Sequence, residues 1–214
     1  MMDYFLEIIN YLSKGALISI LVFGITLLCS FPIALFLSMG LKQKVFQKII
    51  KLYTWFFRGT PLMLQLFLFM YGLPAIGIPV NRMMVAYIAF TINYSAYFVE
   101  IIRAGIESLP KDQFESAQVM GATSLQTYRY VILPQAIRIQ IPVITSEVIT
   151  LIKDTALVTV IAISDIMRNV KEIVSRDFTI SPFILASIFY LFISFLIVKG
   201  FRYLETKLDY LETI

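Results

Sequence analysis

The sequence predicts an all-α transmembrane protein of five spans, and three observations carry that. Of 214 residues, 59% are hydrophobic and only 15% are charged, against about a quarter charged in soluble domains. Mean hydropathy is +0.82. The charges are also segregated, since residues 15–41, 59–81, 83–99 and 178–198 contain none. Lipid is therefore the expected solvent for much of the surface, and a single transmembrane domain over 1–214 is the expected organisation.

Each span follows from its length. A helix needs about 20 apolar residues to cross the hydrocarbon. The first, second and fourth gaps reach that outright. The third does so if it runs on to Glu100 or Arg103, whose charged ends can snorkel to the interface. A further apolar stretch, 137–152, carries Arg138 and Glu147 and reads as a span with a polar burden. The first run is too long for a signal peptide and is followed by Leu41, Lys42, Gln43 and Lys44, not by a small-residue cleavage site. It is expected to stay in the mature protein.

Orientation comes from the basic residues of short loops. Lys42, Lys44, Lys48 and Lys51 put the loop after the first span in the cytoplasm. The loop 73–82, with Pro74, Gly77 and Pro79, holds only Arg82 and faces out. Residues 104–136 then fall inside, 155–182 outside, and the tail with Lys199, Arg202 and Lys207 inside. The N-terminus is thus expected outside and the C-terminus inside. Arg168, Lys171 and Arg176 run against this for 155–182, where Asp165, Glu172 and Asp177 offset them in net charge alone. Val158, Ile161, Ile166, Val170 and Ile173 give that segment the stripe of one amphipathic helix. Such a helix could lie at the interface, cap a cavity, or pack on the bundle as a connector.

Several classes of chemistry are excluded. Histidine is absent and Cys29 is the single cysteine, which removes zinc sites of Cys and His, Ser-His-Asp and Cys-His catalysis, and an intrachain disulfide. Cys29 is expected to be a small buried hydrophobe. The net charge of +4 is what a positive-inside bias produces, and no basic run interleaved with aromatics points to nucleic acid. Asn93-Tyr94-Ser95 matches a glycosylation pattern but falls inside a span.

The polar stretch 111–134 is too long for a simple turn. Asp112 with Glu115 three residues on, and Thr123 with Gln126, each read as a capping box. Gly121 between them suits the left-handed residue that stops a helix. Two short helices meeting at a tight bend are expected, with Phe114 and Ala117 on one face of the first and Leu125, Tyr128 and Ile132 on one face of the second.

Glu115-Ser116-Ala117, three residues, Gly121, nine residues, then Val131-Ile132-Leu133-Pro134 resembles the EAA loop of ABC importer permeases. It departs from that motif at Ser116 and Val131. Arg58-Gly59-Thr60-Pro61-Leu62, the run from Glu100 to Glu107, Leu133-Pro134-Gln135-Ala136 and Lys153-Asp154-Thr155-Ala156-Leu157 extend the resemblance to the polar amino-acid branch, whose members carry histidine, arginine, glutamine, glutamate or cystine. The resemblance implies a type I importer (MetI-like) permease fold in the bacterial cell membrane. It implies a cytoplasmic ABC ATPase dimer, a second permease copy, an identical or a related chain, and an extracellular or periplasmic solute-binding protein. It makes 107–134 the ATPase-coupling segment, with Glu115, Ser116, Ala117, Gly121, Leu133 and Pro134 as coupling residues. The chain has no Gly-x-x-x-x-Gly-Lys-Ser/Thr phosphate cradle. ATP and magnesium therefore belong to the partner ATPase, and no enzyme activity, cofactor or metal is expected in this chain.

Ionisable groups at membrane depth are functional candidates by default. Glu147 is nine residues past Arg138, near mid-bilayer at about 1.5 Å per residue. Asp154 is two turns further on the same face, with Thr150 between them. Substrate contact, through an ammonium, competes with a structural role in which Asp154 pairs with Lys153 and Glu147 bonds backbone freed by Pro142. Asn93 could meet a substrate carboxylate or bond a neighbouring helix. Thr60, in the Gly-Thr-Pro opening of the second span, and Gln65 complete the candidate set. Tyr71, Tyr94 and Tyr97 read as packing or belt residues. The function expected is an amino-acid importer permease. A permease for another solute, such as a metal ion or a sugar, and a stand-alone channel or scaffold are the alternatives.

Overall fold

The computed structural model describes residues 2–41 and 43–210, with side chains from 4 to 207, so Lys42 lies outside the described residues. The described chain is helical apart from short turns.

Helix α1 (Met2–Gly40) has 39 residues, about 58 Å at 1.5 Å per residue. It is longer than the hydrocarbon is thick, and its ends serve different clusters. Small residues make up its buried face: Ser19, Val22, Thr26, Ser30 and Ala34 all have 0% exposure. Small residues let helices approach closely where lipid gives no hydrophobic push between them. At Gly15 an added Cβ would stand 2.6 Å from the backbone of Asp165. Cys29 is exposed on α1 rather than buried. It shares an exposed apolar surface with Leu28 and Phe36.

The lysine-rich stretch expected as a loop after the first span is a helix. α2 (Lys44–Gly59) carries Lys44, Lys48 and Lys51 on one face and exposed Val45, Ile49 and Leu52 on another. After it, α3 (Leu62–Ala75) turns away by 103°. Pro61 causes the break. It lacks the N–H that a continuing helix needs, and it forces Thr60 out of the helical region, to φ −115° and ψ 142°. The expected straight span 59–81 is therefore a 14-residue helix after a bend.

α4 (Arg82–Ser108) is the hub, started by the Asn81 side chain, which accepts from Met84 N at 2.8 Å. Val85, Ala86, Ala89, Phe90, Tyr94, Phe98, Val99 and Ile102 bury its sides against α1 and its neighbours. Its charged end does more than snorkel: Arg103 binds Glu100 at 2.7 Å and Glu107 at 2.6 Å.

A short α5 (Asp112–Val119) and a turn, α6 (Ser124–Gln126), lead through a π-helical segment, Thr127–Ile132, into α7 (Leu133–Asp154). A 3₁₀ turn, Thr155–Ile161, follows, then α8 (Ile166–Asp177) and α9 (Ser181–Tyr210). The single amphipathic helix expected over 155–182 is thus two pieces. Ala162 takes a left-handed φ of 60°, and Asp165 restarts the helix by accepting from Met167 N and Arg168 N at 3.0 and 3.1 Å. The stripe divides accordingly. Val158 and Ile161 join the main core, while Ile166, Val170 and Ile173 pack with Ile8, Leu12 and Ala16 of α1 and Ala186 of α9. Polar bonds seal that second cluster: Tyr11 Oη donates to Glu172 at 2.6 Å, Tyr4 Oη to Asp177 at 2.9 Å, and Asn169 Nδ2 to Tyr11 O at 2.9 Å.

Among the described residues, α1, α4 and α9 are long and apolar enough to cross a membrane, and the bent α2–α3 pair makes a fourth crossing if it counts as one. α7 has the length, with 22 residues, but carries Arg138, Glu147, Lys153 and Asp154.

Candidate functional site

The Pro61 break leaves polar backbone exposed inside the bundle, and two side chains serve it. Asn93 Nδ2 of α4 donates to Phe57 O at 2.9 Å and to Gln65 Oε1 at 3.1 Å. Gln65 Nε2 donates to Phe57 O at 2.9 Å and Thr60 Oγ1 at 2.8 Å. Thr60 Oγ1 in turn donates to Phe56 O at 2.9 Å. A carbonyl orphaned in a low-dielectric interior is costly; this network removes that cost and fixes the bend.

A cavity of about 450 Å³ opens beside the bend. Arg58, Gly59, Thr60 and Pro61 form one wall, and Glu147, Thr150 and Asp154 of α7 another. Asn93, Tyr94 and Tyr97 of α4 lie between them. Asn93 is 11 residues from Arg82 and 15 from Ser108, roughly 17 and 23 Å from the two ends of α4, so the cavity sits at mid-helix depth.

Five of the six candidate substrate residues line this cavity: Glu147, Asp154, Asn93, Thr150 and Thr60. Gln65 does not. It is 2% exposed behind the wall and holds the bend, as the amide of Asn93 does. Thr150 Oγ1 donates to Ser146 O of its own helix at 3.1 Å. Asp154 Oδ2 accepts from Tyr94 Oη at 2.7 Å. Glu147 has no hydrogen-bond partner among the described residues. Thr145 Oγ1 donates back to Ile141 O and Ser146 Oγ to Pro142 O, so these hydroxyls and not Glu147 bond the α7 backbone here.

Sequence reasoning missed three residues here. Arg58 adjoins a charge-free run and was visible as its boundary, but nothing local said that it faces a cavity. Tyr94 is a packing residue of the main core at 1% exposure, and it and Tyr97 also border the cavity, where Tyr94 orients Asp154 across 60 positions of sequence. That contact has no local signal. Tyr71, by contrast, is exposed and stacks on Phe67.

The segment 111–134 is a capped elbow at the other end of α7. The Asp112 and Glu115 capping box does not form. Lys111 occupies the N-cap without a side-chain bond, which shifts both acids one place inward. They still favour the positive end of the helix. Gly121 adopts φ +82°. Its N–H bonds Gln118 O at 2.9 Å, and Ala122 N bonds Ala117 O at 3.1 Å, the paired bonds of a Schellman stop. The Thr123 and Gln126 box forms in both directions, at 3.3 and 2.8 Å. The second helix is not short, however, because it runs on into α7 through the π segment. Pro134 accounts for the widening: it cannot donate to Tyr130 O, and its ring crowds that carbonyl. Leu133 and Pro134 therefore belong to the first turn of α7.

Phe114 packs on Leu109, Ile132 and Ala136, and Tyr128 and Ile132 are buried at 3% and 0%. Leu125 departs from the expected face and is exposed. Glu115 and Ser116 are exposed, Ala117 is half-buried, and Val119 and Met120 stand out at 87% and 86% exposure. Two apolar side chains so exposed at the tip of a capped elbow form a knob.

Comparison with known proteins identifies the architecture. Residues 30–210 match the family described as binding-protein-dependent transport system inner membrane component. The L-cystine transport system permease protein TcyB of Bacillus subtilis is 38% identical over 170 residues, covering 78% of this chain and 73% of that protein. The arginine transport system permease protein ArtQ of Bacillus subtilis is 37% identical over 158 residues, covering 73% and 72%. A crystal structure of an amino acid ABC transporter with histidines superposes with a TM-score of 0.86 at 28% identity, covering 97% and 98% of the two chains. The MetNI methionine ABC transporter in an inward-facing form gives 0.76 at 13% identity and shares the fold. The bent α2–α3 pair, the cavity between it and α7, and the capped elbow thus sit on a MetI-like type I ABC permease fold, and this chain belongs to the family of inner membrane components of binding-protein-dependent transport systems.

Proposed function

We propose that this chain is the permease subunit of an ATP-driven importer that moves α-amino acids across the bacterial cell membrane by alternating access. The observation that carries this is the cavity: two carboxylates, Glu147 and Asp154, facing the middle of α4 among apolar helices. Such groups are expensive in lipid and pair with a cation or an ammonium. The relatives that carry cystine and arginine support a zwitterionic substrate. Thr60 and Thr150 line opposite walls, Asn93 lies between them, and Gln65 supports the bend from behind.

In this reading residues 1–214 form one domain with five crossings: α1, the bent α2–α3 pair, α4, α7 and α9. The lysines of α2 and the basic end of α9 favour an outer N-terminus and an inner C-terminus. Segment 107–134 is the coupling segment. Glu115, Ser116, Ala117 and Gly121 meet the ATPase with Val119 and Met120 at the tip, and Leu133 and Pro134 join the elbow to α7. The chain itself hydrolyses nothing and holds no cofactor or metal. ATP and magnesium are bound by a cytoplasmic ATPase dimer, a second permease copy completes the membrane part, and a solute-binding protein delivers substrate.

Uptake of labelled cystine, arginine and glutamine by cells carrying the complete importer tests this. Glu147→Gln and Asp154→Asn are expected to lower uptake at least about tenfold, the loss of one charged hydrogen bond, with assembly intact. Gly121→Asp is expected to spare membrane insertion, abolish uptake and weaken ATPase co-purification. Uptake of a metal ion or a sugar that no amino acid competes against would refute the substrate class. Normal uptake by the Gly121 variant would refute the coupling role.

A further inference from the structure

We infer that Arg58 is the carboxylate anchor of the cavity, so that an α-amino acid is read across it as a zwitterion, with its carboxylate on Arg58 and its ammonium on Glu147 and Asp154. This rests on the amino-acid reading above and adds which wall takes which end of the molecule.

Among the described residues that line the cavity, Arg58 is the one cation. Its guanidinium carbon lies 5.2 Å from the centroid of the Tyr97 ring, in the range of a cation–π contact, and 43% of its side chain is still accessible. The nearest protein carboxylate does not consume it. Glu100 Oε2 is 3.8 Å from Arg58 Nη1, beyond hydrogen-bond length. That oxygen already accepts from Arg103 at 2.8 and 2.7 Å, while Glu100 Oε1 accepts from Thr54 Oγ1 at 2.9 Å. Glu100 therefore places positive charge at the wall without neutralising its donors. A planar guanidinium with donors to spare fits a carboxylate in two parallel hydrogen bonds.

The other polar groups on that side are committed elsewhere. The Asn93 amide and the Gln65 amide hold the Pro61 bend, and the Thr60 hydroxyl donates to Phe56 O. Across the cavity, α7 presents only acidic and hydroxyl groups, from Glu147, Asp154 and Thr150. The site is thus polarised, with its positive end on the α2–α3 bend and its negative end on α7.

The test is equilibrium binding to the full-length permease–ATPase complex in lipid nanodiscs, without solute-binding protein, so that any preference is the permease's own. Labelled L-arginine, L-glutamine and L-cystine are each competed with the parent amino acid and with its α-carboxamide. The carboxamide keeps the ammonium and side chain but carries no carboxylate charge. The wild type is expected to prefer the acid over the amide by about 30-fold, the effect of one charge-assisted pair. Arg58→Gln is expected to weaken the acid by that factor and leave the amide unchanged. Arg58→Lys keeps part of the preference, and Glu147→Gln weakens acid and amide alike. The proposal is overturned if Arg58→Gln binds the acid as the wild type does, or loses acid and amide equally. If that variant fails to assemble, a wild-type complex with no preference for acid over amide overturns it by itself. A wild type that binds none of the three amino acids overturns the amino-acid reading as well.

Discussion

Gly105 gives the sharpest test of how α4 and α7 meet. A methyl group built there would stand 2.6 Å from Ala136 O and 2.8 Å from Gln140 Cγ, where ordinary contact begins at 3.4 Å. The Gln140 side chain can swing aside. The Ala136 carbonyl is helix backbone and cannot, so α7 has to retreat by several tenths of an ångström. Overpacking of that kind costs about 1–3 kcal/mol, and the helix propensity gained by replacing glycine with alanine returns at most about 1 kcal/mol. Gly105→Ala is therefore expected to destabilise by up to about 2 kcal/mol, lowering Tm by up to roughly 8 °C for a chain of this size, and to fall below Gly24→Ala by the full overpacking cost of about 1–3 kcal/mol. Gly24→Ala is the control, because nothing lies within 4 Å of its added Cβ. It keeps the propensity gain and should melt at or slightly above the wild type. Thermal unfolding of the three proteins in one detergent, followed by intrinsic fluorescence, decides the matter. If Gly105→Ala melts level with Gly24→Ala, the two helices are not in backbone contact there and the packing argument is wrong.

Asp165→Ala removes both bonds that start α8 and is expected to cost about 1 kcal/mol, with Asp165→Asn losing less; equal melting of the Ala variant and the wild type would refute the cap. The junction of α8 with the start of α1 should also loosen in acid. The Tyr11 hydroxyl, then the Arg168 guanidinium, hold Glu172 below the usual carboxylate range, and Arg176 and Tyr4 do the same for Asp177. A carboxylate with a depressed folded pKa stabilises above its ordinary value and loses that contribution as pH falls through the folded value. Hydrogen exchange of α8, corrected for intrinsic rates, should rise as pH falls below about 5, where the unfolded carboxylates begin to take up protons. Tyr11→Phe should flatten part of that rise, and an unchanged profile in the variant would count against the pairing.

Much of this was readable from the chain alone, and the failures have physical causes. Charge-free gaps marked α1, α4 and α9 because lipid selects apolar residues over a whole helix length. The same rule failed at 59–81, where apolarity continues through Pro61 but backbone geometry does not. The lysines of α2 look like loop charges until their three- and four-residue spacing is set against Val45, Ile49 and Leu52. Glu147, Thr150 and Asp154 were legible because helical periodicity puts them on one face. Their partners were not, since Tyr94 reaches Asp154 and Asn93 reaches Phe57 only through packing between distant segments. Gly121 and the Thr123 cap were visible because turn chemistry is local. The Asp112 cap slipped by one residue because Lys111 took the N-cap position, and no side-chain pattern announces that.

The π turn at Thr127–Ile132 has a mechanical consequence. It leaves the backbone helical from Ser124 to Asp154, a rod of about 46 Å with the exposed knob beside one end and the acidic wall of the cavity at the other. A rod pivoting near its middle by about 5° displaces each end by about 2 Å, comparable to the small interface shifts that switch proteins between states. Because the helix is continuous from the elbow to the acidic wall, such a tilt would change the separation of Asp154 from Arg58 in the same step that moves the elbow.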